Sequence, residues 1–247
     1  MQSFWKDREI TVDGNKKDWE GSLKYFEDEK AAISISNDSN YIYFCLATSD
    51  RSKIMKIMST GLTVWLDPQD SDGKTIGIQY PIKRERAEFG ELPIRDKNKP
   101  DNENDRFKNM IEKFKVEQNE VLIMNEDKFP MNVYPLKNQT GLEVGINFEM
   151  NQLVYELKVP ISNNNIINVD VLPNENLKVG FETGEFEKPE NGKGNGMRAE
   201  GGMPGGDEMS GGRRGGGMKG GNRPEKSNMS ERMNPIEFWI NVKLAAK

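Results

Sequence analysis

Short runs in which apolar and polar residues alternate with period two recur along this chain, opened by the block ITVDGNKKDWEG at Ile10 to Gly21 and closed by IEFWINVKLA at Ile236 to Ala245. Period two is the repeat of a strand, and parity then says which side chains share a face. Ile42, Phe44 and Leu46 fall on one side of Tyr41 to Ala47, which follows Ala31 to Ser36 across the polar turn NDSN as a hairpin would. Leu62, Val64 and Leu66 oppose Thr63, Trp65 and Asp67, ahead of a further strand at Thr75 to Ile82. The clearest alternations are Leu142, Val144, Ile146 and Phe148, then Tyr155, Leu157, Val159 and Ile161. Glu120 to Met124 and Leu177 to Thr183 add two more strands, and Phe107, Ile111 and Phe114 predict one short helix over Arg106 to Lys115. Both chain ends read as β, so they are expected to pair in one all-β antiparallel sandwich.

That pairing turns the glycine-rich stretch before the last strand into an insertion. From Gly192 to Gly221 fourteen of thirty residues are glycine, too much backbone entropy and too little apolar surface for a packed element. The expected organisation is therefore a single domain over residues 1–247 with a flexible Gly/Met/Arg-rich insertion at 185–234. Arg213-Arg214-Gly215-Gly216 lacks interleaved aromatic residues and the chain is acidic, with a net charge of -5, so no nucleic-acid partner is expected. The methionines Met197, Met203, Met209, Met218, Met229 and Met233 offer soft thioethers that suit Cu(I), but a plain flexible loop is the favoured reading.

Composition excludes several functions. With 34% hydrophobic and 30% charged residues the chain can bury a core, but no apolar run approaches the roughly 18–20 residues that cross a bilayer. Histidine is absent, which removes His-based zinc sites, Ser-His-Asp and Cys-His nucleophile systems and the commonest neutral-pH base. No pair among the 40 acidic residues stands out as a glycosidase couple, so a binding role is expected ahead of an enzymatic one. Cys45, the only cysteine, sits among apolar neighbours in YIYFCLA and reads as a small core residue. The opening MQSFWKDREI carries neither the basic nor the apolar region of a secretory signal.

Aromatic faces stack on sugar rings while nearby carboxylates and amides bond the hydroxyls. Trp65 and Trp239 both point away from the apolar parity of their strands. If those strands share a sheet, they form a platform with Tyr41, Tyr43, Glu156, Glu182 and Asn241; the competing reading packs the rings beneath long loops. DPQDSDGK brings Asp67, Asp70 and Asp72 together as oxygen ligands for Ca²⁺. The spacing departs from an EF-hand at Pro68 and Gln79, which makes an acidic turn the first reading. No other cofactor is expected.

Four ordered blocks, ITVDGNKKDWEG, SNDSNYIYFCLATSD, GLTVWLDPQDSDGK and VYELKVPIS, with WINVKLA at the end, together resemble family 9 carbohydrate-binding modules and the related DOMON-like domains. The resemblance implies a jelly-roll-like β-sandwich from an exported bacterial protein, hence an extracytoplasmic setting, with a glycan or small-molecule ligand. It implies that Trp19, in the place of the family's opening tryptophan, anchors the chain start, while Asp13 and Asp18 read as turn residues. The leading expectation is a non-catalytic carbohydrate-binding module. Alternatives are a haem-binding or redox domain of the same fold, and a protein-interaction module that uses the flexible loop.

Overall fold

The computed structural model describes residues 1–68, 74–83, 103–125, 129–137, 141–161, 167, 169–185 and 235–247. The expected insertion at 185–234 lies, but for Glu185, outside the described residues, as does the methionine set within it. Both sheets belong to the compact unit formed by Met1–Glu185 and Pro235–Lys247.

Among the described residues there are twelve strands: β1 (Phe4–Trp5), β2 (Lys24–Phe26), β3 (Ala31–Asn37), β4 (Tyr41–Thr48), β5 (Leu62–Asp67), β6 (Ile76–Gln79), β7 (Glu120–Asn125), β8 (Phe129–Pro135), β9 (Glu143–Glu149), β10 (Gln152–Pro160), β11 (Asn176–Thr183) and β12 (Glu237–Lys243). One six-stranded sheet runs β1-β3-β4-β10-β9 with β2 on β3, and the other runs β12-β11-β5-β6-β7-β8. Every pairing is antiparallel except β1 on β3. The architecture is an all-β sandwich, and the parity read from sequence is the parity observed. Ile42, Phe44, Leu46, Tyr155, Leu157 and Val159 from the first sheet share one buried cluster with Leu62, Val64, Leu66, Val179, Phe181 and Val242 from the second. Burying such side chains fully stabilises by about 1.5–3 kcal/mol each.

The chain ends meet as expected, through different residues. β12 pairs β11 along its length, whereas Ile10 to Gly21 forms a turn-rich segment with a 3-10 helix at Lys16–Trp19 and no strand. Its place is taken by Met1–Ser3. Lys243 N donates to Met1 O at 2.9 Å, and Ser3 N donates to Lys243 O at 3.0 Å. Beside them Ala245 N donates to the buried Ser3 Oγ and Asn37 Oδ1, at 2.8 and 3.0 Å. The first residues thus tie the last strand of one sheet to β3 of the other.

Among the described residues two α-helices form where one was expected. α2 (Glu103–Glu117) contains the predicted segment, and its Ile111 and Phe114 are buried. α1 (Arg51–Thr60) buries Ile54, Ile57 and Met58, whose spacing of three and one is helical. The Asp50 carboxylate caps it from the amides of Ser52 and Lys53, and Gly61 with φ of 80° closes it. β8, an edge strand, is likewise added to the expected set.

The turn-rich segment straps the outer face of the β1–β9 sheet, and one residue holds it there. Glu156 on β10 is fully buried, and its Oε2 accepts the amides of Asp13 at 3.0 Å, Gly14 at 2.6 Å and Asn15 at 3.2 Å. Its Oε1 accepts the indole N–H of Trp19 at 2.5 Å. Gly14 is required: its φ is +79°, and a Cβ there would lie 2.5 Å from that of Asn147. Trp19 then seals a small layer with Tyr43, Cys45, Ala47 and Val154. Burial pushes the Glu156 pKa up, while the hydrogen bonds from Trp19, Gly14 and Asp13 pull it down, and the net direction is up.

Two consequences are testable. Glu156→Gln leaves one acceptor for two donor groups and should cost about 1–3 kcal/mol in urea unfolding, as should Trp19→Phe, and the double variant should cost less than the sum. Because the folded pKa is raised, stability from this group falls as pH climbs from the ordinary glutamate range through the raised value. Urea titrations between about pH 4 and pH 8 should show that slope in the wild type and not in Glu156→Gln.

Candidate functional site

The outer face of the second sheet is built differently. Register places five residues in one lateral row: Trp239 opposes Gly180, Gly180 opposes Trp65, Trp65 opposes Gly77, and Gly77 opposes Met124. Glycine within a strand marks a place where another group comes close, and here it is an indole each time. A Cβ on Gly180 would meet Trp239 Cζ3 at 2.7 Å, and one on Gly77 would meet Trp65 Cζ3 at 2.6 Å. Each ring therefore lies across the backbone of the next strand instead of standing up from the sheet. Both tryptophans are half-buried.

Polar groups border the row. Glu182 Oε2 accepts from Trp65 Nε1 at 2.6 Å and from Lys74 Nζ at 2.5 Å, and Lys74 also lies 3.9 Å from Glu237. The ammonium of Lys74 is 5.4 Å from the Trp65 ring centroid, and that of Lys178 is 5.5 Å from the Trp239 centroid. Gln79 donates to Thr63 on the Glu182 side, and Asn241 is exposed on the other. The two lysines match the two glutamates in charge.

The seven residues expected to form one platform divide between the sheets. Trp65, Trp239, Glu182 and Asn241 come together on this face. Tyr41, Tyr43 and Glu156 stand on the outer face of the opposite sheet, because β4 and β10 pair there. Parity tells which side of a strand a residue takes but not which sheet the strand joins. Tyr43 donates to Asp38 at 3.1 Å and accepts from Lys6 at 2.9 Å, and burial, with Asp38 beside it, pushes its pKa up. Tyr41 lies 6.2 Å from the Tyr43 ring, beneath the Lys158 ammonium. Glu156 is committed to the strap.

Of the proposed calcium ligands, Asp70 and Asp72 lie outside the described residues. Asp67 is fully buried and accepts from Thr75 Oγ1 at 3.2 Å. Among the described residues no group of three His, Cys, Asp or Glu is placed to hold a metal ion. Cys45 is buried and its thiol pKa is pushed well up by burial, with Glu156 adding to the effect, which leaves it an unreactive core residue.

What the sequence reading missed is the glycine half of the platform, together with Lys74. The signal was present, since Gly77 in IGIQ and Gly180 in KVGFET occupy outward parity inside otherwise apolar strands. Gly180→Ala should drive the Trp239 ring off the sheet. We expect a loss of about 1–3 kcal/mol in urea unfolding and a red-shifted tryptophan emission, with the Gly180→Ala, Trp239→Phe pair recovering part of the stability.

No protein-family model matches the chain, and no curated protein matches it significantly. Among solved structures it is similar to a carbohydrate-binding module of family 9 from Caldicellulosiruptor kristjanssonii in complex with glucose, at 9% identity and a TM-score of 0.35, over 74% of this chain and 75% of that one. Among the described residues no helix is long and apolar enough to cross a membrane.

Proposed function

We propose that this protein is a non-catalytic binding module whose ligand is a neutral glycan held on the outer face of the β12-β11-β5-β6-β7-β8 sheet. The observation that carries the reading is the pair of indoles, Trp239 and Trp65, laid over Gly180 and Gly77 in one row. Flat, half-buried rings present broad apolar surface that a pyranose covers with its axial C–H groups. Around them stand donors and acceptors suited to hydroxyls: Glu182, Lys74, Gln79 and Asn241. The charges pair with one another, Lys74 with Glu182 at 2.5 Å above all, so the face favours an uncharged partner over a polyanion. Such a ligand fits an extracytoplasmic setting, where glycan polymers are met.

Titration of the full chain with a panel of soluble neutral glycans, followed by tryptophan fluorescence and calorimetry, tests this. Trp65→Ala and Trp239→Ala should each weaken binding by about 1–2 kcal/mol, some 5- to 30-fold, with Tyr41→Ala as an unaffected control on the other sheet. Retained affinity in both tryptophan variants would remove the site from consideration.

A further inference from the structure

Resting on that reading, we propose that the ligand is an extended β-linked polysaccharide chain, bound along its length and across the strands, and not a single sugar or a chain end. Trp239 and Trp65 stand on β12 and β5 with β11 between them, which separates them by two strand intervals, about 9.5 Å. Each ring leans the same way, onto the glycine of its next neighbour, so that interval is kept between the rings. In an extended β-1,4-linked pyranose chain alternate units turn the same face to a surface, and two units span about this interval. Two stacking positions on one face thus read units i and i+2 of one chain.

The row also continues to β7, where Met124 follows Gly77, while Leu122 and the exposed Val133 lie in the neighbouring row that contains Gln79. From β12 to β7 the row covers four strand intervals, about 19 Å, the length of roughly four pyranose units. A sugar-end pocket would need walls around one ring. Here Trp239, Trp65 and Met124 lie in a lateral line, and from β12 to β6 polar groups border it on both sides, as they must if a chain's equatorial hydroxyls project sideways. Glu182, Thr63 and Gln79 form one border through the register of β11, β5 and β6, and Asn241 and Lys178 contribute to the other.

The experiment is a length ladder. Cello-oligosaccharides of one to six units are titrated into the full chain, beside a malto-oligosaccharide ladder and the cello-hexamer reduced to its alditol. Affinity should rise at least tenfold from glucose to the tetramer and then level, the alditol should bind within twofold of its parent, and the malto series should bind at least tenfold more weakly. Either Trp65→Ala or Trp239→Ala should flatten the ladder. Glucose binding as tightly as the tetramer, a large loss on reducing the end, or a preference for the curved malto chain would each overturn the extended-chain proposal while leaving glycan binding intact. Absence of binding across the ladders and the wider glycan panel would bring down both.

Discussion

A single buried carboxylate sets the asymmetry on which this protein is organised. Glu156 accepts three consecutive backbone amides and one indole N–H, all from the segment Asp13 to Trp19, and through them fixes that segment across one outer face of the sandwich. A charge taken out of water is costly unless its lone pairs are met by donors, and once they are met the donors are equally committed. The strap cannot shift without stranding the charge. The face beneath it, with Trp19, Tyr43, Cys45 and Val154, is closed as a second small hydrophobic layer.

The opposite face carries no such buried cluster among the described residues. Its tryptophans lie against glycine backbone, Trp65 is bonded from the side by Glu182, and the ammonium groups of Lys74 and Lys178 stand over the two rings. One sheet has its outer surface covered by the chain's own start, and the other carries a row of half-buried indoles on its outer surface.

Both tryptophan environments use the same chemistry for different ends. Trp19 gives its N–H to Glu156 with its ring buried, and Trp65 gives its N–H to Glu182 with its ring half open. The difference lies in the neighbours. Trp19 is roofed by a loop that a carboxylate binds, whereas Trp65 lies on a strand whose cross-strand partners at Gly77 and Gly180 have no side chains.

Much of this was legible in the residue order. Period-two alternation determined the longer strands of the core, the core faces of β4, β5, β9 and β10, and the outward parity of Trp65 and Trp239, because a strand alternates sides whatever its partners are. The spacing of Ile54, Ile57 and Met58 held α1 as well, though it is easily overlooked among strands. Only the tertiary structure decided that Tyr41, Tyr43 and Glu156 belong to the other sheet, that Glu156 is a clamp, and that Gly77 and Gly180 lie beneath the indoles. Those facts depend on which strands pair and in what register. Hydrogen bonding between backbones separated by a hundred residues settles that, and local alternation carries no record of it.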